Sequence, residues 1–131
     1  MKLSVHSRNQ LLTTFEVWAV PQDFAEPMYN YLVFGFNPGS FFTSVLANDF
    51  AKAIQHSHVA NTMTALKALT GWIQSDMPPI ARGSYRAVDD WRDRTEAQRR
   101  SILETYRLVY SVEDEMMLAL AGKPTQEPVL W

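Results

Sequence analysis

Pro38-Gly39-Ser40-Phe41-Phe42-Thr43-Ser44-Val45-Leu46-Ala47-Asn48-Asp49-Phe50 carries the clearest structural signal in the chain. Pro38 fixes φ and Gly39 permits a positive φ, so the turn Phe36-Asn37-Pro38-Gly39 delivers Ser40 where its hydroxyl can cap a following helix. From Phe41 to about His56 the apolar residues Phe42, Val45, Leu46, Phe50, Ala53 and Ile54 recur at three- and four-residue intervals. That spacing predicts one amphipathic helix.

Upstream, Asp23 is placed to cap a short helix with Pro27 in its first turn, Phe24, Met28, Tyr31 and Leu32 facing inward, and Gly35 as its stop. The stretch Leu11 to Val20 is ambiguous. Phe15, Val17 and Ala19 alternate as in a strand, whereas Leu11, Phe15 and Trp18 fit a helix, and Pro21 ends either one.

Downstream, a helix from about Ala60 to Ser75 places Met63, Leu66, Leu69 and Ile73, with Ala65 and Trp72, on a broad apolar stripe ended by Pro78-Pro79. Ser84 caps a short helix through Val88 to Trp91. Thr95 and Gln98 have capping-box spacing, and no Gly or Pro interrupts Glu96 to Ala121. A helix of about 26 residues would measure about 39 Å, more than a domain of this size can cover. The segment therefore packs on another chain or breaks near Ser111.

These elements describe one mainly α domain over 1–131, with four or five helices, a long C-terminal helix, and a first segment, 1–22, readable as a short strand. Residues 123–131 read as an irregular tail. At 131 residues, 47% of them hydrophobic and 20% charged, the chain suits a single globular core. A net charge of -2 argues against a function carried by bulk charge, and the absence of Cys removes disulfides, thiolate metal sites and cysteine nucleophiles. The sequence lacks a membrane-length apolar run and a signal-peptide core, making the cytoplasm the expected location.

No phosphate-binding loop, dinucleotide fingerprint, nucleophile elbow or zinc-protease motif is present, so no catalytic residue, metal or cofactor is expected. Ligand-binding candidates are Asn48 and Asp49, two weak helix formers amid an apolar helix, together with His56 and His58. Seven arginines lie between Arg82 and Arg107, and Arg92, Arg99 and Arg100 are the candidates for nucleic acid. Five acidic residues are interleaved with them, a pattern that also fits a solvated face of ion pairs. Tyr106, Tyr110, Met116, Met117 and Trp131 are the partner-binding candidates, being contact-prone residue types without an obvious place in the core. A homodimer through Ile102, Tyr106, Val109 and Met116 would cover the surplus helix.

From Pro38 to Phe50, and on through Ala53, Asn61, Trp72, Pro78-Pro79, Gly83-Ser84, Val88 and Trp91, the sequence resembles small proteins common in tailed bacteriophages and prophages. The likeness covers about Met28 to Trp91 and leaves out the C-terminal helix. It implies a small helical fold and a phage origin, and supplies no catalytic residue. The resulting expectation is an accessory protein that binds a host or phage protein, perturbing a host enzyme or a defence system. Nucleic-acid binding and small-ligand binding are the alternatives.

Overall fold

The computed structural model of the chain describes residues 3–57 and 63–121. The Ser4 hydroxyl accepts the Ser7 amide at 3.3 Å and opens helix α1, Val5–Val17. The ambiguous first segment is thus a helix. Leu11, Leu12 and Phe15 share its buried face, and tertiary packing outweighs the strand preference of its β-branched residues. Phe15 meets Trp72 edge to face at 4.6 Å, and Trp72 Nε1 donates to Thr14 Oγ1 at 2.9 Å.

A 3-10 turn, Gln22–Phe24, leads into α2, Ala25–Tyr29, which runs on as a π-helical segment, Asn30–Phe34, and stops at Gly35 with φ +71°. Then come α3, Ser40–Leu46, α4, Phe50–His56, and α5, Met63–Ser75. After a second 3-10 turn, Pro79–Ala81, follow α6, Tyr85–Asp93, α7, Glu96–Thr105, and α8, Val112–Ala121. The described residues therefore form eight short α-helices and no strand, in place of four or five longer helices. The core gathers Phe15, Met28, Tyr31, Leu46, Trp72 and Trp91 between them. The tail 123–131 lies outside the described residues.

Both long helices expected from the sequence are broken, and by one device. Helix α3 ends at Ala47, Asn48 turns left-handed with φ 62°, and the Asn48 and Asp49 amides bond back to Val45 and Ser44. Helix α7 ends at Tyr106, Arg107 takes φ 60°, and the Arg107 and Leu108 amides bond back to Glu104 and Leu103. Helix α1 ends the same way at Ala19, φ 57°. Each is a Schellman closure with a residue other than Gly in the left-handed position. Burial of Val20 and Leu108 just beyond the corner supplies the apolar anchor that offsets the backbone strain in two of them. The row Ile102, Tyr106, Val109, Met116 consequently does not exist as one stripe, and Val109 is buried inside the chain.

Because Arg107 is exposed and an L-residue costs about 1–2 kcal/mol in this conformation, Arg107→Gly is expected to stabilise the protein. The gain should be about 0.5–1 kcal/mol, less than the strain because glycine also loosens the unfolded chain. A urea midpoint that falls would contradict this account of the corner.

The Glu115 carboxylate ties helix α8 to the rest of the domain. Glu115 Oε1 accepts from Arg100 Nη2 at 2.9 Å, while Oε2 accepts from the Ser4 hydroxyl at 2.6 Å and from the Ser7 hydroxyl. Burial pushes this carboxyl up, but the Ser4 and Ser7 hydroxyls and the Arg100 guanidinium together outweigh it and hold it below its ordinary value. A carboxyl lowered by folding stabilises the native state above its unfolded value of about 4.3, and that contribution disappears as pH falls through the folded value. Stability is accordingly expected to drop below about pH 4 in the wild type. In Glu115→Gln it should drop less steeply, as read from urea midpoints across the acid range.

Candidate functional site

The most developed concavity is an open groove of about 810 Å³ between the end of α1, helix α4 and helix α5. Trp18 and Ala19 form one wall, Phe50 and Ile54 of α4 another, and Met63, Leu66 and Gly71 of α5 the floor and far side. Phe50, Ile54 and Met63 are 42%, 53% and 68% exposed, although the helical period assigned them to the core. For Phe50 and Ile54 the break at Asn48 is responsible, since it redirects α4 and turns part of its apolar face outward. Among the described residues Lys67 is the one ionisable side chain on the lining.

Gly71 explains how Trp18 is held. It sits in the interior of α5, where glycine costs about 1 kcal/mol relative to alanine. A Cβ there would lie 2.7 Å from Cε3 and 2.9 Å from Cζ3 of Trp18, so the missing side chain lets the indole rest on the helix. Gly71→Ala is expected to leave overall stability within about 1 kcal/mol of wild type, because the gain in helix propensity offsets a displaced indole. The displaced Trp18 should red-shift its part of the tryptophan emission, judged against Trp18→Phe. Unchanged emission would show that the indole does not depend on Gly71.

The ligand candidates lie on the other side of α4. Asn48 is the left-handed corner itself, and its Oδ1 accepts from Gln74 Nε2 at 3.5 Å. Asp49 caps α4 by accepting the Lys52 amide at 3.3 Å and also accepts from the Tyr85 hydroxyl at 2.7 Å. The Tyr85 hydroxyl, foremost, and the Lys52 amide hold the Asp49 carboxyl below its ordinary value. Asn48 and Asp49 thus order the α3–α4 corner. His56 lines a polar cleft of about 290 Å³ with Ser40, Thr43, Lys52 and Tyr85, whereas His58 lies outside the described residues. Among the described residues no three His, Asp or Glu side chains come together to hold a metal.

Of the arginine candidates, Arg92 faces solvent and donates from Nε to the Gly35 carbonyl at 3.2 Å, but Arg99 and Arg100 are buried. Arg99 donates from Nε to the Val33 carbonyl at 2.9 Å and from Nη1 to the Arg92 and Arg94 carbonyls. Arg100 serves Glu104, Glu115 and the Tyr110 carbonyl. Neither guanidinium is presented to a phosphate. The solvated face of ion pairs describes exposed pairs such as Arg86 and Asp90, 3.8 Å apart, and does not extend to Arg99 and Arg100.

No family model, curated protein or solved structure matches the chain. Its surfaces must carry the functional reading.

The partner candidates divide. Met116 and Met117 are 61% and 67% exposed on α8, a helix in which no residue is buried, and Tyr106 is half exposed at the end of α7. Tyr110 is partly buried against Gln10, and Trp131 lies outside the described residues. None of the four described ones lines the groove, whose residues Trp18, Ile54, Met63 and Gly71 were absent from the sequence-derived set. The signal that could have found it was a lone glycine inside the otherwise regular α5 pattern. No helix among the described residues is long and apolar enough to cross a membrane.

Proposed function

We propose that this protein works by binding a partner protein, receiving an apolar helix face in the groove walled by Trp18, Phe50, Ile54 and Met63. The carrying observation is the groove itself, about 810 Å³ of open concavity lined almost wholly by apolar side chains. Such a surface is unfavourable in water, and a pair of helices beside an aromatic wall suits helix-in-groove recognition. The exposed methionines of α8 give a second contact surface of the same character. The likeness of Pro38 to Phe50 to small phage proteins supports a host or phage protein as the partner, with interference in a host enzyme or a defence system as the outcome.

The test is affinity purification from bacterial cells with three baits: wild type, Ile54→Glu, and Arg86→Glu as an exposed surface control outside the groove lining. A partner recovered by the wild type and the control, and reduced at least about tenfold by the charge in the groove, supports the reading. A recovered set that Ile54→Glu leaves untouched would sink it. Binding to nucleic acid that the wild type and Ile54→Glu share, that Arg86→Glu weakens and that salt abolishes, would instead favour the arginine segment.

A further inference from the structure

Helix α8 and the groove are two apolar surfaces at opposite ends of α1. Glu115 ties α8 to Ser4 and Ser7 at the start of α1, and the groove begins at Trp18, just past its end. The 13 residues of α1 separate them by about 20 Å. A helix anchored at one end cannot fill a groove at the other.

On its outer side α8 presents Val112, Met116 and Leu120, spaced four residues apart, with Met117 beside them, all more than half exposed. Glu113 lies on that same side, four residues before Met117 and seven before Leu120. The groove offers the complement: apolar walls from α4 and α5 with Lys67 as the lone ionisable side chain among its described residues. Ten residues of α8 span about 15 Å and 13 residues of α5 about 20 Å, so one helix fits along the other.

We infer that the occupant of the groove is helix α8 of a second copy of this chain, seated by Val112, Met116 and Leu120 with Glu113 facing Lys67. The inference rests on reading the groove as a helix-binding site: a second copy holds the site in the free protein, and a host or phage helix enters it by displacing α8. Reciprocal exchange about a two-fold axis fills both grooves and closes the assembly as a dimer, whereas one-way docking would propagate into a filament.

Light scattering on the full chain at micromolar concentration tests it. The wild type should have the mass of a dimer. Ile54→Glu in the groove and Met116→Glu on α8 should each weaken self-association at least about tenfold. Mixing these two variants should restore a dimer, because one seat pairs an intact groove with an intact α8. Lys67→Glu should weaken the dimer, and adding Glu113→Lys should recover it. A dimer broken by Met116→Glu but indifferent to Ile54→Glu would mean that α8 packs on α8, and would overturn the proposal. A monomeric wild type whose captured partner is still lost on Ile54→Glu would overturn it too, while leaving the binding function in place. If neither mass nor capture responds to Ile54→Glu, both readings fall.

Discussion

Arg99→Met is expected to lower the free energy of unfolding by about 3 kcal/mol, one of the two largest losses available outside the apolar core. The Arg99 guanidinium is buried where two helix ends converge, bonded to the carbonyl of Val33 near the close of the π-helical segment and to those of Arg92 and Arg94 at the end of α6. Terminal carbonyls lack partners within their own helices and carry the negative end of the helix dipole, so one cation satisfies both. Burial lowers the pKa of this guanidinium, with Glu96 acting in the opposite sense, yet arginine stays charged. Methionine keeps the apolar stem and leaves the carbonyls short of donors. Arg99→Lys is expected to recover less than half the loss, because an ammonium cannot fork to carbonyls on two elements. Urea unfolding of the three proteins decides the matter, and a loss below about 1 kcal/mol for Arg99→Met would be incompatible with the role described. Gly35 belongs to the same arrangement. A Cβ there would stand 2.8 Å from Arg99 Nη1, so its hydrogen gives room to the guanidinium as well as freedom to the backbone.

Arg100→Met is expected to destabilise by about 3–4 kcal/mol, since it leaves Glu115 and the Tyr110 carbonyl without their cation in a largely buried setting. The double variant Arg100→Met, Glu115→Met should lose less than the single one, about 1–2 kcal/mol, because no orphaned charge remains. A double-mutant cycle reads the difference directly. If the two losses simply add, Arg100 and Glu115 are not coupled and α8 is held by something else. The Ser4 and Ser7 hydroxyls would then be the first alternatives to remove.

Helix content, inward-facing residues and part of the capping were legible from local chemistry, but Ser40 is the first residue of α3 behind a Gly39 cap, and neither α2 nor the 3-10 turn before it has a side-chain cap, so the expected Ser40 and Asp23 caps do not form. The Thr95–Gln98 capping box and the Ser84 cap form as their spacing predicts, and Trp72, Trp91, Leu69 and Ile73 are buried as their period requires. A break near Ser111 was one of two alternatives that helix length left open, and α7 and α8 are indeed separate, but the corners themselves were not legible, because a search for helix stops looks for glycine and proline, and the left-handed corners use Ala19, Asn48 and Arg107. At Arg107 nothing in the side chain announces the turn. What selects it is the burial of Leu108 beyond it, a tertiary effect. Asn48-Asp49 was noticed for the right oddity, two poor helix formers in an apolar run, and the oddity marks a corner. The groove was hidden for the same reason. A continuous helix would have kept Phe50 and Ile54 on the face that buries Val45 and Leu46, and only the corner separates them.

The corners also determine how the chain can be divided. No described helix is longer than 13 residues, a length at which an isolated helix is marginal in water. Each element of the core therefore depends on its neighbours for its own secondary structure, and few internal cuts would leave a fragment that stands alone. In evolutionary terms this core is poor material for modular shuffling: it can be inherited whole, or gain segments at its ends, but it has little to lend.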